Sequence, residues 1–342
     1  MPCKTTTTAN GHRPTVNLDM FLFHADPGEL VARARQAEQG GFDGIFVAET
    51  LQDPFQQLAI LAEHSSSITL GTAIALAFPR SPMLAAMSGW DLARSSNGRF
   101  ILGLGSQVQK HIERRFSSAY EHPAARLGEY SLAVKHIWES FQHEHPMDFH
   151  GDFYDLDFLP DAVNPGPVPS GPPHIYLAAL GPLMFRTAGR VADGAMVHPV
   201  HSVEYLRTVA EPAIARGLEE SGRSREDFHL EATAFSIIGT GEEGRRDREL
   251  MRAQFAFYAS TPAYSAVLEL HGWGPLHETL RSLVREKKTD EMTRAVPDEV
   301  LDEFCIVADN WSDAAALARE RYAGVVDRIA FHTAPPLNVR LS

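Results

Sequence analysis

Short apolar runs alternate with stretches of helical spacing along most of the chain, which predicts strand and helix in turn. Val16 to Phe23 reads as a first strand. Pro27 to Gln39 reads as a helix with Asp26 as its cap, Pro27 in its first turn and Gly40-Gly41 as its stop. Gly44 to Ala48 is a second, buried strand, and Asp53-Pro54 opens a helix to about His64. Ser67 to Leu76 is the third strand, and Ser81-Pro82 opens a helix that ends at Asn97-Gly98, a left-handed stop. Arg99 to Gly105 is the fourth strand. Its Phe100, Ile101 and Leu102 form the continuous apolar run of a strand buried on both faces. Gly103 and Gly105 remove side chains where either a flat ring or a packed neighbouring strand comes close.

A long helix follows over about Pro123 to Phe141, then a hairpin and proline-rich excursion to Pro173. His174 to Ala179 is the fifth strand, Gly181 to Val191 a helix, Gly194 to His198 the sixth strand, and Ser202 to Ser221 a helix. Phe228 to Ile238 is the seventh strand, and Glu242 to Ala295 is mostly helical, either a cover for the site or a face for a second subunit. Ser312 to Tyr322 is a helix and Arg328 to His332 the eighth strand. One pattern recurs. A helix ends, glycine follows, then an acid, then an apolar strand, at Gly41 to Asp43, Gly189 to Asp193 and Gly324 to Asp327.

Eight strands with intervening helices predict an α/β fold, a (β/α)8 TIM barrel with insertions after strand 4 and after strand 7. A doubly wound open sheet is the alternative. Residues 15–342 form a single domain, and residues 1–14, polar throughout, are expected to be a disordered tail. The chain's 342 residues suit one barrel with insertions.

The formal net charge of -13 gives no reason to expect nucleic acid or an anionic membrane as partner. Two cysteines, Cys3 and Cys305, suit a reducing cytoplasm, and no apolar run is long enough for a membrane span. In a barrel, chemistry belongs at the C-terminal strand ends. Those ends carry His24, Glu49, Thr50, Ala73, Ile74, Gly105, Ser106, Gln107, Ala179, Gly181, Pro182, His198, His201 and His332. The set is poor in charge and rich in small residues, which suits a shallow cleft for a large flat ligand.

Other motifs are weaker. Gly103-Leu104-Gly105 begins like a dinucleotide fingerprint, but Val108 stands where the third glycine belongs. No metal site is expected: His143-Glu144-His145 reads as a solvated loop, and His198 and His201 lack a carboxylate partner. Glu49 is either a salt bridge at the barrel mouth or an acid perturbed by burial. Lys110, His111, Arg114 and Arg115 form a basic patch after the fourth strand, fit for phosphate or carboxylates. The N–H groups at the Gly181-Pro182 helix start are a second anion candidate. Phe78, Trp90, Phe235, Tyr258 and His332 are the expected pocket walls.

Four stretches together resemble the bacterial luciferase-like superfamily, and within it the oxidoreductases that use coenzyme F420, a deazaflavin. They are SNGRFILGLGSQ (96–107), LGTAIALAFPRSP (70–82), LAALGPLMFRTAGRVADGAMVH (177–198) and FYASTPAYSAVLELHGWG (257–274). The resemblance implies hydride transfer between the deazaflavin C5 and a small organic substrate, with the cofactor at the C-terminal mouth of the barrel. It also implies a bulge with a non-prolyl cis peptide at Ala73-Ile74. Ala73, Ile74, Gly105, Ser106, Gln107, Ala179, Gly181 and Pro182 would line the cofactor, with Lys110, Arg114 and Arg115 on its anionic tail. Many such enzymes carry Asp-His at the end of the second strand, where this chain has Glu49-Thr50, and some carry an acid near Ser106-Gln107, where this chain has none. The catalytic candidates are therefore Glu49 first, then His198 or His24. An FMN-dependent monooxygenase of the same superfamily is the alternative, as is a barrel that binds a ligand without turnover. A homodimer is expected from the same resemblance.

Overall fold

The computed structural model describes residues 15–341, so the expected tail, with Cys3, lies outside the described residues. The eight apolar runs become β1 (Asn17–Leu22), β2 (Gly44–Val47), β3 (Thr69–Thr72), β4 (Phe100–Gly105), β5 (His174–Ala179), β6 (Gly194–Val197), β7 (His229–Ile238) and β8 (Arg328–Phe331). Each pairs in parallel with the next, and β8 returns to β1 through Asn17 opposite Arg328 and Met20 opposite Phe331. This closure makes the sheet a (β/α)8 barrel and removes the open-sheet alternative. Among the described residues no helix is long and apolar enough to cross a membrane.

The recurring Gly-to-acid pattern has a structural cause. Asp43 donates its N–H to the Leu18 carbonyl and accepts the Leu18 N–H on its side chain at 2.8 Å. Asp193 does the same with Ile175 (2.8 Å), and Asp327 with Leu230 (2.7 Å). Each acid thus clasps a strand entering the barrel to the chain entering its neighbour, at the end away from the strand C-termini.

Several elements differ from expectation. Asp26 precedes the helix Pro27–Gly40 but makes no side-chain cap bond, whereas Asp53 and Ser81 cap theirs through Phe55 N–H and Leu84 N–H. The helix expected over 202–221 is a turn at Val203–Tyr205, a π turn at Leu206–Ala210, then a helix at Glu211–Glu220. Pro212 lacks the N–H that a continuous ladder needs. The third strand breaks after Thr72 and resumes as the two-residue strand Ala75–Leu76 beside β4. A helix at Asp298–Phe304 and a strand at Cys305–Ala308 went unpredicted, and the strand pairs with the upper half of β7.

The barrel interior is layered. At the base, the Arg328 guanidinium binds the buried Asp19 carboxylate through Nε and one terminal nitrogen (2.9 and 2.6 Å) and lies over the Phe46 ring. The buried Glu231 belongs to the same cluster. Above it Phe46, Ile101, Tyr176 and Met196 pack together, with Ala73 and Ile74 against them. The top layer is Phe21, Ala48 and Ala330, with Phe23 beside it. Glycine makes these large residues fit. A Cβ on Gly71 would lie 2.4 Å from the Phe46 ring, and one on Gly103 2.6 Å from the Met196 sulfur.

Candidate functional site

The break in the third strand forms the centre of the mouth. The Ala73–Ile74 peptide is cis, and both residues are half-buried at the top of the barrel interior. Glu49, at the end of β2, clamps this bulge. Its N–H donates to the Ile74 carbonyl, and its carboxylate accepts the Leu76 N–H at 2.8 Å. Arg80 completes the clamp, reaching Glu49 at 2.6 Å and Asp53 at 2.7 Å. The salt bridge that the sequence offered as one reading of Glu49 therefore forms. Glu49→Gln is expected to cost about 2 kcal/mol, since it removes a charge-assisted contact that is largely out of water. A chemical-denaturation midpoint unchanged from wild type would show that the clamp carries no weight.

The close approach at the fourth-strand glycines is made by protein. A Cβ on Gly103 would meet the Thr72 carbonyl at 1.9 Å, and one on Gly105 the Ile74 side chain at 2.3 Å. Of the two readings, the packed neighbouring strand is the one observed. The glycines seat the bulge, and the bulge presents Ala73 and Ile74 to the mouth.

Beyond β4 the chain turns through Ser106 and Gln107, the latter at φ 55°. Gln107 holds this turn by accepting the Val108 N–H on its side chain and the Tyr120 hydroxyl on its carbonyl. The short helix Gln109–Arg115 follows. Arg115 turns away from the patch to donate to the Thr50 carbonyl at 2.5 Å, while the Thr50 hydroxyl donates to the Phe23 carbonyl. Lys110 and Arg114 are exposed and line a surface depression of about 410 Å³ with Gln109 and Glu113. Among the described residues neither cation forms an ion pair, so both are available to an anion. At the end of β5, Ala179 is buried, and Gly181 precedes the helix Pro182–Val191 with open space where its Cβ would point.

The other half of the mouth is aromatic. His332, past the end of β8, stacks on Phe21 and meets Phe23 and Phe235 edge-on at 5.0 and 4.9 Å. His198, past the end of β6, meets Tyr258 at 4.4 Å and Tyr264 at 5.2 Å between ring centres. Burial, with His332 and His201 nearby, pushes His198 down to about 3, and burial pushes His332 down to about 4. Both imidazoles are neutral at physiological pH. Tyr264 is a member that the sequence reading did not single out, although it lies inside one of the four family-like stretches.

Other expectations are corrected. Trp90 is a helix-layer core residue, packed on Trp138 and Phe141, and is no pocket wall. Phe78 lies under Arg126 and beside Tyr120, bracing the loop after β4. His201 is a buried peg between the His198 carbonyl and the Tyr322 hydroxyl. His24 is exposed, with no hydrogen bond among the described residues. His143 is an exposed helix end beside Glu139, and no group of residues fit for a metal occurs among the described residues. Arg80, the keystone of the clamp, was missed as a site residue. Its signal was a lone charge in the apolar run AFPRSP.

Comparison with known proteins agrees with this architecture. The sequence profile described as luciferase-like monooxygenase matches residues 4–328. An uncharacterized protein of Mycobacterium tuberculosis is 43% identical over 312 residues, covering 89% of this chain and 90% of its own. The 5,10-methylenetetrahydromethanopterin reductase of Archaeoglobus fulgidus is 27% identical over 288 residues, covering 81% of each chain. Among solved structures, the coenzyme F420-dependent tetrahydromethanopterin reductase from Methanopyrus kandleri superposes with a TM-score of 0.75 at 22% identity, covering 93% of each chain.

Proposed function

Because the chain belongs to the luciferase-like monooxygenase family, we propose that it is a coenzyme F420-dependent oxidoreductase acting on a small organic molecule. The observation that carries this reading is the Ala73–Ile74 bulge, a half-buried apolar shelf at the barrel mouth, flanked after β4 by two unpaired cations. A flat heteroaromatic ring with a long anionic tail fits both parts. The relatives named for F420 or a methanopterin substrate support the same choice.

When bound, the deazaflavin would supply two-electron hydride chemistry at one carbon. The chain's own residues do the rest. Ala73 and Ile74 would hold one ring face, with Gly105, Ser106, Gln107 and Ala179 at its edges. Lys110 and Arg114 would bind the anionic tail, aided by the N–H groups beyond Gly181 and Pro182. Phe21, Phe23 and Phe235 keep water from the far side of the mouth. Of the catalytic candidates, His198 is the group best placed for hydrogen bonding to a substrate. Its Nδ1 accepts the Val200 N–H, so its proton sits on Nε2. Glu49 works through the bulge it clamps, and His24 stands on the exposed rim.

Equilibrium titration tests the reading. F420 fluorescence should be quenched with saturable binding. Lys110→Ala with Arg114→Ala should weaken that binding about tenfold, or ~1.4 kcal/mol, and the loss should shrink at high salt. The family description favours one second reading, an FMN-dependent monooxygenase. Tight FMN binding with no response to F420 would establish that reading instead.

A further inference from the structure

The aromatic half of the mouth holds four polar side chains and no charge. Among them, His198 and Tyr258 are in ring contact, Tyr264 lies against His198, and His332 reaches Tyr258 at 6.4 Å. Among the described residues, the groups acting electrostatically on these four are one another and His201. Neither tyrosine hydroxyl has a hydrogen-bond partner among the described residues. The proton positions follow from the neighbours. Val200 occupies the lone pair of His198 Nδ1, which leaves Nε2–H as donor. His332 is only 3% exposed, and its Nδ1 is sealed without a partner. An orphaned buried lone pair costs less than an orphaned buried N–H, so this ring also keeps its proton on Nε2. Phe235 backs the group, 4.9 Å from His332 and 6.2 Å from Tyr258.

We propose that this half of the mouth binds an uncharged organic substrate that presents an accepting oxygen, a carbonyl or hydroxyl, to the Nε2–H groups of His198 and His332, with its carbon framework against Tyr258, Tyr264 and Phe235. An anionic substrate would leave its charge buried with no cation to meet it, and an ammonium would find no carboxylate. A neutral oxygen loses water and gains two fixed donors. The proposal rests on the reading that this mouth is the active site, but not on which cofactor the mouth holds.

The test uses the full chain without cofactor and four probes of similar size: acetophenone, toluene, benzoate and benzylammonium. Ligand-observed NMR at neutral pH should show acetophenone binding about tenfold more tightly than either ion and severalfold more tightly than toluene, in line with a lost hydrogen bond. His198→Phe and His332→Phe should each narrow the preference for acetophenone over toluene, with toluene binding unchanged, and the double variant should erase it. Should either variant fail to fold, Tyr264→Lys tests the same point at a half-buried position, since benzoate should then become the preferred probe. Benzoate or benzylammonium binding as tightly as acetophenone to the wild type overturns the proposal. So does equal binding of acetophenone and toluene, or a Tyr264→Lys protein with no gain for benzoate. A separate F420 titration reports on the cofactor reading, so failure of one does not imply failure of the other.

Discussion

Gly103→Ala should destabilise the protein by about 3 kcal/mol or more and, on the proposed function, abolish F420 binding. The new methyl would sit 1.9 Å from the Thr72 carbonyl and 2.6 Å from the Met196 sulfur. Met196 can change rotamer, but the Thr72 carbonyl is backbone, and the Thr72 hydroxyl already donates to the Gly103 carbonyl at 2.6 Å. The two strands must separate at the point where the bulge leaves the barrel, so both the fold and the shelf at Ala73–Ile74 are affected. Gly181→Ala is the matched control. Open space surrounds that position, so its stability should stay within about 0.5 kcal/mol of wild type. Urea midpoints of both variants, with F420 titrations alongside, check the contrast. A Gly103→Ala protein with wild-type stability would show that β3 and β4 are not held as close as described.

The second large effect is a dependence of stability on pH set inside the barrel. Glu231 is fully buried, accepts one long bond from the Thr233 hydroxyl at 3.4 Å, and leaves its second oxygen without a partner. Burial, and then the neighbouring Asp19 carboxylate, push its carboxyl up to about 8. Arg328 is already bound by Asp19 through two nitrogens and relieves it only in part. The folded protein therefore holds a proton that the unfolded chain releases above pH 4.5. This contribution to stability is fully present below pH 4.5 and is lost as pH rises through about 8, by ~4–5 kcal/mol in all. Glu231→Gln removes that loss, so variant and wild type should diverge progressively from pH 5 to 9, with the variant the more stable at the alkaline end.

Three histidines work from the acid side. His198, His201 and His332 are pushed down to about 3, 4 and 4, against 6.5 in the unfolded chain. Below pH 6.5 the unfolded state takes up protons that the folded state refuses, so stability falls as pH drops toward these values. The wild type should be most stable near pH 7, and Glu231→Gln should move that maximum upward. Denaturation curves across the range read both limbs. Parallel profiles for the two proteins would refute the assignment to Glu231.

The barrel was legible because parallel strands buried on both faces are continuous apolar runs bounded by glycine and proline. GIFVA, FILGLG and HIYLAA carry that signal directly. The run CIVA carries it too, but it sits beside β7 outside the eight-stranded ring, where the counting rule of a closed barrel gives it no place. The Gly-to-acid repeat was visible as a pattern, yet its cause lies in the strand N–H that each acid accepts, which only the paired chain reveals. The site was legible in part. Strand ends pointed to Glu49, His198 and His332, and the family-like stretches to Ala73 and Ile74. Arg80 was not, because its two acidic partners lie 31 and 27 residues away in sequence. Trp90 was misread because a large aromatic residue on a helix looks the same in sequence whether it faces the mouth or a neighbouring helix.

The three aspartate clasps sit at the end of the barrel opposite the mouth. There Asp43, Asp193 and Asp327 tie β1 to β2, β5 to β6 and β7 to β8 as each strand begins. The lacing at the foot is separate from the Glu49–Arg80 clamp at the crown. A change in the loop beyond Gly181, where open space surrounds the chain, therefore leaves the lacing untouched.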